Sequence, residues 1–144
     1  LQARSYIYSV DWSDDGRWLV SGGKAREIRI WDPADTRPRL TLSGHQGQIQ
    51  AVTWGADSRQ IFSAGVDNTI RRWRSGIGQQ DWVALALPNE QSVTFNESGD
   101  VLNLTPEAEQ HLVYIVERVP GEFHYLTHTE FHELITPVEV KSSP

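Results

Sequence analysis

Laid against itself at an offset of 42, the chain matches without a gap at positions that include Val10 on Val52, Trp12 on Trp54, Asp15 on Asp57, Arg17 on Arg59, Leu19 on Ile61, Ser21 on Ser63, Gly23 on Gly65, Ile28 on Ile70, Arg29 on Arg71 and Trp31 on Trp73. A repeat of this period is a single supersecondary unit. It buries its apolar surface only against neighbouring copies, so the fold must be an array of like elements.

Both copies have the same local grammar. Tyr8-Ser9-Val10-Asp11-Trp12 alternates in period two, Ser13-Asp14-Asp15-Gly16 supplies turn chemistry, and Trp18-Leu19-Val20 resumes a strand. Gly22-Gly23 interrupts the pattern before Glu27-Ile28-Arg29-Ile30-Trp31, a third strand with Ile28 and Ile30 on one face. Pro33 and Pro38 bound a loop that leads to a fourth short strand, Leu40-Thr41-Leu42.

Four short strands per period, with Gly44-His45 and Trp31-Asp32 at their ends, resemble the WD40 repeats of β-propellers. The resemblance covers residues 7–32 and 49–74 and implies an all-β chain of propeller blades, an incomplete ring on its own. On this reading residues 1–43 are a first blade without the Gly-His lead-in, and residues 44–87 are a second with the full set of interlocking polar residues. In that set the resemblance assigns a structural role to His45, Ser63, Asp67 and Trp73, with Trp31 the counterpart of Trp73 in the first copy. A carboxylate at Asp67 can accept from turn amides and from the His45 imidazole, while Trp73 offers its indole N–H. The rival reading of the same residues is a catalytic Asp-His-Ser constellation; the resemblance favours structure.

The copies also depart from the pattern. Ala25 stands where the second copy has Asp67, Arg72 takes the apolar slot of Ile30, and Arg74 replaces the Asp of Trp-Asp. Arg72 is expected to run outward along its stem, or to pair with an acid of a neighbouring blade.

Past Ser75-Gly76-Ile77-Gly78, the run Trp82 to Leu87 reads as the closing strand of the second blade. Residues 88–136 are then expected to form a divergent third blade. Ser92 to Leu102 mirrors the opening hairpin of the second copy, Thr105-Pro106 starts a helical turn over 105–110, and 112–117 and 123–126 are strands. A capping box at Thr127 to Glu130 predicts a short helix ending before Pro137, with 137–144 a flexible tail. The ending resembles the last blade of large bacterial multidomain WD40 proteins. The lack of any Met, with a start just ahead of a strand, is taken as the sign of a fragment.

Function is constrained mostly by exclusion. There is no Cys, hence no thiol chemistry. Residues 1–75 carry eleven basic and eight acidic side chains, and residues 76–144 carry two and eleven, giving +3 and −9. The acidic part repels phosphate backbones, which makes nucleic acid an unfavourable partner. No apolar run reaches membrane-spanning length and no signal peptide is visible, so a soluble, cytoplasmic protein is expected.

His124, His128 and His132 recur every fourth residue, and His128 and His132 are the weak metal candidates. His124 falls on a strand, so the spacing is not expected to survive folding, and no cofactor is expected. Ser21-Gly22-Gly23-Lys24 lacks the flanking residues of a phosphate loop. Asn96-Glu97-Ser98 and Asn103-Leu104-Thr105 match the glycosylation pattern too briefly to carry weight.

The resemblance gathers the loops between second and third strands, and between fourth and first, on one face. Lys24, Arg26, Gln46, Gln48 and Asn68 would stand there, with Glu107 and Glu109 from the third blade. A mixed polar rim suits recognition of a protein partner. The expected role is a non-catalytic binding, scaffold or sensor module completed by further blades of the same polypeptide. The alternatives are closure by another copy into a homo-oligomeric propeller, and a metal-dependent enzyme using the C-terminal histidines.

Overall fold

The computed structural model describes residues 5–108 and the backbone of residues 113–119 and 122–127. The chain divides after Leu104 into two compact units.

The first unit opens with a four-stranded antiparallel sheet, β1 (Ile7–Trp12), β2 (Leu19–Gly23), β3 (Glu27–Trp31) and β4 (Pro38–Ser43), in the order β1-β2-β3-β4. Its first turn shows why Ser-Asp-Asp-Gly reverses the chain. Ser13 Oγ donates to Asp15 (2.6 Å) and accepts from the Trp18 amide (2.9 Å), while Gly16 takes the left-handed conformation at φ 68°.

The second repeat reproduces this sheet in register: β5 (Ile49–Trp54), β6 (Gln60–Gly65), β7 (Thr69–Arg74) and β8 (Gln79–Ala86). Ile61 faces Trp73 across the ladder as Leu19 faces Trp31, and Ile70 faces Ala84 as Ile28 faces Leu42. The opening hairpin expected of a third blade does not begin a separate sheet. β9 (Ser92–Asn96) pairs antiparallel with β8, β10 (Val101–Leu104) pairs with β9, and the sheet runs to six strands in the order β10-β9-β8-β7-β6-β5. The cause is the link between β8 and β9. Asn89 and Glu90 both adopt positive φ (58° and 61°), and the Leu87 amide donates to the Gln91 carbonyl at 2.8 Å, which folds the chain straight back on itself.

The core lies between the two sheets. Val20, Ile28, Ile30 and Leu42 of the first pack on Ile49, Val52, Trp54, Ile61 and Trp73 of the second, with Trp18 and Leu40 at the margin. Gly22 permits the approach, because a Cβ there would sit 2.6 Å from Ile49 Cγ2. The edge strands β1 and β5 lie alongside each other, and side chains of β1 satisfy the backbone of β5. Ser9 Oγ bonds both the Val52 amide (3.1 Å) and carbonyl (3.2 Å), and Asp11 accepts from the Trp54 amide (2.8 Å) and from Thr53 Oγ1 (2.7 Å). Burial works to raise the Asp11 carboxyl, but these bonds and that from its own neighbour Trp12 hold it below the usual range.

The second unit begins with a turn in which the Ala108 amide donates to the Thr105 carbonyl (3.0 Å). β11 (Val113–Val119) and β12 (Glu122–Thr127) then form a two-stranded antiparallel sheet of their own. The expected helix after Thr127, the tail, and the rest of the turn expected over 105–110 lie outside the described residues. No helix among the described residues is long and apolar enough to cross a membrane.

Candidate functional site

The residues singled out in the second repeat meet in one buried chain of hydrogen bonds. His45, on the loop from β4 to β5, places Nδ1 2.9 Å from Asp67 Oδ2 and Nε2 2.8 Å from Ser63 Oγ, and the Trp73 indole donates to the same Ser63 oxygen at 2.9 Å. Asp67 sits in the β6–β7 turn and also accepts from the Gln46 amide (2.8 Å), from Thr69 Oγ1 (2.7 Å) and from the Thr69 amide (3.2 Å). Four segments, the β4–β5 loop, β6, the β6–β7 turn and β7, are tied at one point.

The electrostatics fix the proton positions. Burial presses the His45 pKa down, against the opposing pull of Asp67, so the imidazole is neutral near pH 7, its Nδ1–H donating to the carboxylate. Nε2 is left to accept the Ser63 hydroxyl. Burial alone would raise Asp67, but the bonds from Thr69, the Gln46 amide and His45 outweigh it and hold the carboxyl well below its usual range.

This geometry has the order of a hydrolytic Asp-His-Ser triad but not its accessibility. Ser63 is 2% exposed and His45 5%, and the Ser63 oxygen already accepts a hydrogen bond from the Trp73 indole N–H. A nucleophile must reach a substrate carbonyl, and this one is enclosed.

The first repeat keeps only half of the arrangement. Trp31 Nε1 donates to Ser21 Oγ at 2.8 Å, but Ala25 offers no carboxylate. Thr69 is the participant that sequence reasoning missed. Nothing in its spacing marks it, because the equivalent position of the first copy is Glu27, which pairs with Arg29 (2.9 Å). Gly65 was visible as a repeat identity without a reason; a Cβ there would lie 2.7 Å from both Asp67 Oδ1 and His45 Nδ1.

Arg72 finds its acid within its own sheet. Asp81 of β8 accepts from Arg72 and from Arg74 (2.9 Å), and the Arg72 guanidinium lies over the Trp82 ring, 5.5 Å from its centroid. No group of three metal-ligating side chains stands together among the described residues. His124 is on β12, while His128 and His132 lie outside the described residues.

The rim residues come from neighbouring loops of the first unit. Lys24 and Arg26 lie in the β2–β3 turn, Gln46 and Gln48 in the β4–β5 loop, and Asn68 in the β6–β7 turn; all but half-buried Gln48 are exposed. Arg26 reaches the Gln46 carbonyl (3.4 Å), Tyr8 donates to Gln48 (3.2 Å), and Lys24 lies 5.5 Å from the Tyr6 ring centroid. Tyr6 and Tyr8 thus belong with the rim, although the alternation marked Tyr8 only as a strand residue and did not single out Tyr6. Arg26 and Asn68, equivalent at the offset of 42, share a left-handed backbone (φ 62° and 58°). Glu107 is exposed in the second unit, and Glu109 lies outside the described residues.

Comparison with known proteins matches the family model "WD domain, G-beta repeat" to residues 1–32 and 36–74. Protein FIZZY-RELATED 3 of Arabidopsis thaliana is 30% identical over 80 residues, covering 54% of this chain and 17% of that protein. Serine-threonine kinase receptor-associated protein of Gallus gallus is 31% identical over 108 residues, covering 73% of this chain and 30% of its own length. Periodic tryptophan protein 2 homolog of Dictyostelium discoideum is 37% identical over 107 residues, covering 70% and 12%. The chain therefore spans less than a third of each of these relatives, and their eukaryotic sources lend no support to the bacterial origin expected from the ending. The period, the two sheets in matched register and the family match together identify residues 1–32 and 36–74 as WD40 repeats.

Proposed function

We propose that the chain is part of a non-catalytic protein-interaction module, a stretch of WD40 array that presents a polar rim to a protein partner. The observation that carries this reading is the enclosure of the Asp67-His45-Ser63 chain: among the described residues, this constellation with catalytic order is spent on tying loops together, and what it ties are the loops that display Gln46 and Asn68. A rigid scaffold that holds exposed polar loops in fixed relation is what a recognition surface requires. One relative is named as a protein associated with a serine-threonine kinase receptor, which is in keeping with such a role. A larger multidomain parent, a sensor function and a cytoplasmic location belong to the same proposal and rest on the sequence alone.

The test is site-specific crosslinking in cell extract, with a photoreactive residue at Lys24 or Gln46 and a control at Arg37 on the β3–β4 loop. Discrete adducts from the rim positions that disappear on adding Arg26→Glu, with none from Arg37, are expected. Equal adducts from all three positions would refute the rim. Turnover of ester or peptide substrates that is lost in Ser63→Ala would refute the non-catalytic reading.

A further inference from the structure

At the end of the sheets away from the rim, where the β1–β2, β5–β6 and β7–β8 turns lie, the two repeats enclose a pocket of about 110 Å³. Trp18, Ile30 and Trp54 give it an apolar lining, Ser58 and Ser75 add hydroxyls, and Arg39 of β4 adds a cation. Its walls are fixed to one another. The Asp15 amide donates to Ser58 Oγ (3.3 Å), and Ser75 Oγ donates to the Ser58 carbonyl (3.0 Å).

The Arg39 guanidinium lies over the Trp18 ring, 4.6 Å from its centroid. A stacked guanidinium spends its flat face and keeps its in-plane N–H groups for an acceptor. Among the described residues no carboxylate pairs with Arg39. The second repeat shows what completes such a device. Arg72 lies over Trp82, 5.5 Å from its centroid, and Asp81 of the neighbouring strand accepts from it. At the offset of 42 the position of Asp81 is held by Arg39 itself, so the first repeat has the stacked arginine without the acid. Two further donors are unspent. Ser58 Oγ accepts from the Asp15 amide, which leaves its O–H to donate, and the buried Trp54 indole N–H has no acceptor among the described residues, which favours an anion over a cation nearby.

We propose that this pocket binds a small monocarboxylic acid in its ionised form, with the carboxylate held by Arg39 and the Ser58 hydroxyl and a short apolar body against Trp18, Ile30 and Trp54. The site lies at the opposite end of the sheets from the rim and does not depend on it. Volume sets the size of the ligand. The pocket falls well short of the roughly 300–1,000 Å³ that drug-sized molecules occupy, so it admits a body of a few carbon atoms and not a polypeptide. Asp15 sets the charge, because its carboxylate also lines the pocket, held by Ser13 Oγ (2.6 Å) and the Arg17 amide (3.1 Å). A single negative charge is balanced by Arg39, whereas a doubly charged phosphate is repelled by Asp15.

The probe is isovalerate, titrated into the full chain while the tryptophan indole N–H resonances are followed by NMR. Those of Trp18 and Trp54 should shift together and saturate, with half-saturation at about 1 mM or below. The resonance of Trp12, the repeat equivalent of Trp54 outside the pocket, should stay in place. Isovaleramide, the neutral isostere, and inorganic phosphate should bind at least about tenfold more weakly. Arg39 is exposed, so its replacement should leave the Trp31 and Trp73 resonances unchanged, which verifies the fold. Arg39→Gln should weaken isovalerate by about tenfold or more, and Arg39→Lys, which keeps the charge without the planar fork, should weaken it measurably. The proposal is overturned by the absence of a saturable shift, by equal binding of the amide, or by parental affinity in either Arg39 variant. Acetyl-glycyl-leucine carries the same carboxylate and branched body on a peptide and should bind no more tightly than isovalerate. Binding about tenfold tighter would also overturn the proposal, by assigning the site to the end of a partner chain.

Discussion

At the scale of single residues, Ser63 and Ser21 form a natural pair. Each accepts a tryptophan indole, but only Ser63 also serves an imidazole. Ser63→Ala strands two buried polar groups and Ser21→Ala one. Leaving such a group unpaired costs about 1–3 kcal/mol, so Ser63→Ala should lower the free energy of unfolding by about twice as much as Ser21→Ala. Equal losses in urea denaturation would show that the His45 bond contributes nothing.

The titration of the same cluster gives a pH dependence. The folded pKa of His45 lies below its ordinary 6.5, so the unfolded chain takes up the proton first. The stability held by neutral His45 is complete above that value and declines as pH falls toward the folded pKa. The folded pKa of Asp67 is depressed from 3.8, so its contribution stays intact above 3.8 and is lost only as pH drops through the lower folded value. The urea midpoint should therefore decline between pH 7 and pH 5 through His45, and His45→Gln should flatten that decline while lowering stability at pH 7. A slope unchanged by His45→Gln would remove His45 as its source.

At the scale of elements, what was legible in the sequence is the local part of the problem. Period-two alternation, turn residues and the 42-residue offset place β1 to β8, because each depends on neighbours a few residues away. The partner of β9 was not legible. Alternation in Ser92 to Asn96 says that the segment is a strand, and the same pattern serves a new sheet or the edge of an old one. One signal was present. Ala86-Leu87 stand where Gly44-His45 would fall one repeat later, so no imidazole anchors a crossing to a new blade, and the Asn89-Glu90 turn returns the chain to β8. Thr69 and Ser9 escaped for a similar reason, since their hydrogen bonds depend on how loops and sheets meet in space. The close approach of the sheets yields a further prediction. Gly22→Ala should cost about 1–3 kcal/mol, because Ile49 is fully buried and β-branched and cannot turn aside, whereas Gly76→Ala meets nothing within 4 Å and should leave the urea midpoint in place. A neutral Gly22→Ala would mean that the sheets lie further apart than described.

At the scale of the whole molecule, the two repeats act as an internal control, since a substitution can be made twice in the same local sequence with only the neighbouring blade differing. A lysine at Val52 carries a charge into the apolar contact between the sheets. At Val10 the ammonium reaches water along its stem. Val52→Lys should cost about 4 kcal/mol or more, enough to unfold a domain of ordinary marginal stability, while Val10→Lys should stay within about 0.5 kcal/mol of the parent. Chemical denaturation read by tryptophan fluorescence separates the two. If Val10→Lys were as damaging as Val52→Lys, the β1 face would already be covered within this chain, and its exposed apolar side chains would need a different account. If it is harmless here and damaging once an upstream repeat is joined, the cost of the lysine becomes a measure of the missing contact. The stability of this stretch would then be shared with a neighbour, as expected of an array in which each blade buries its face on the next.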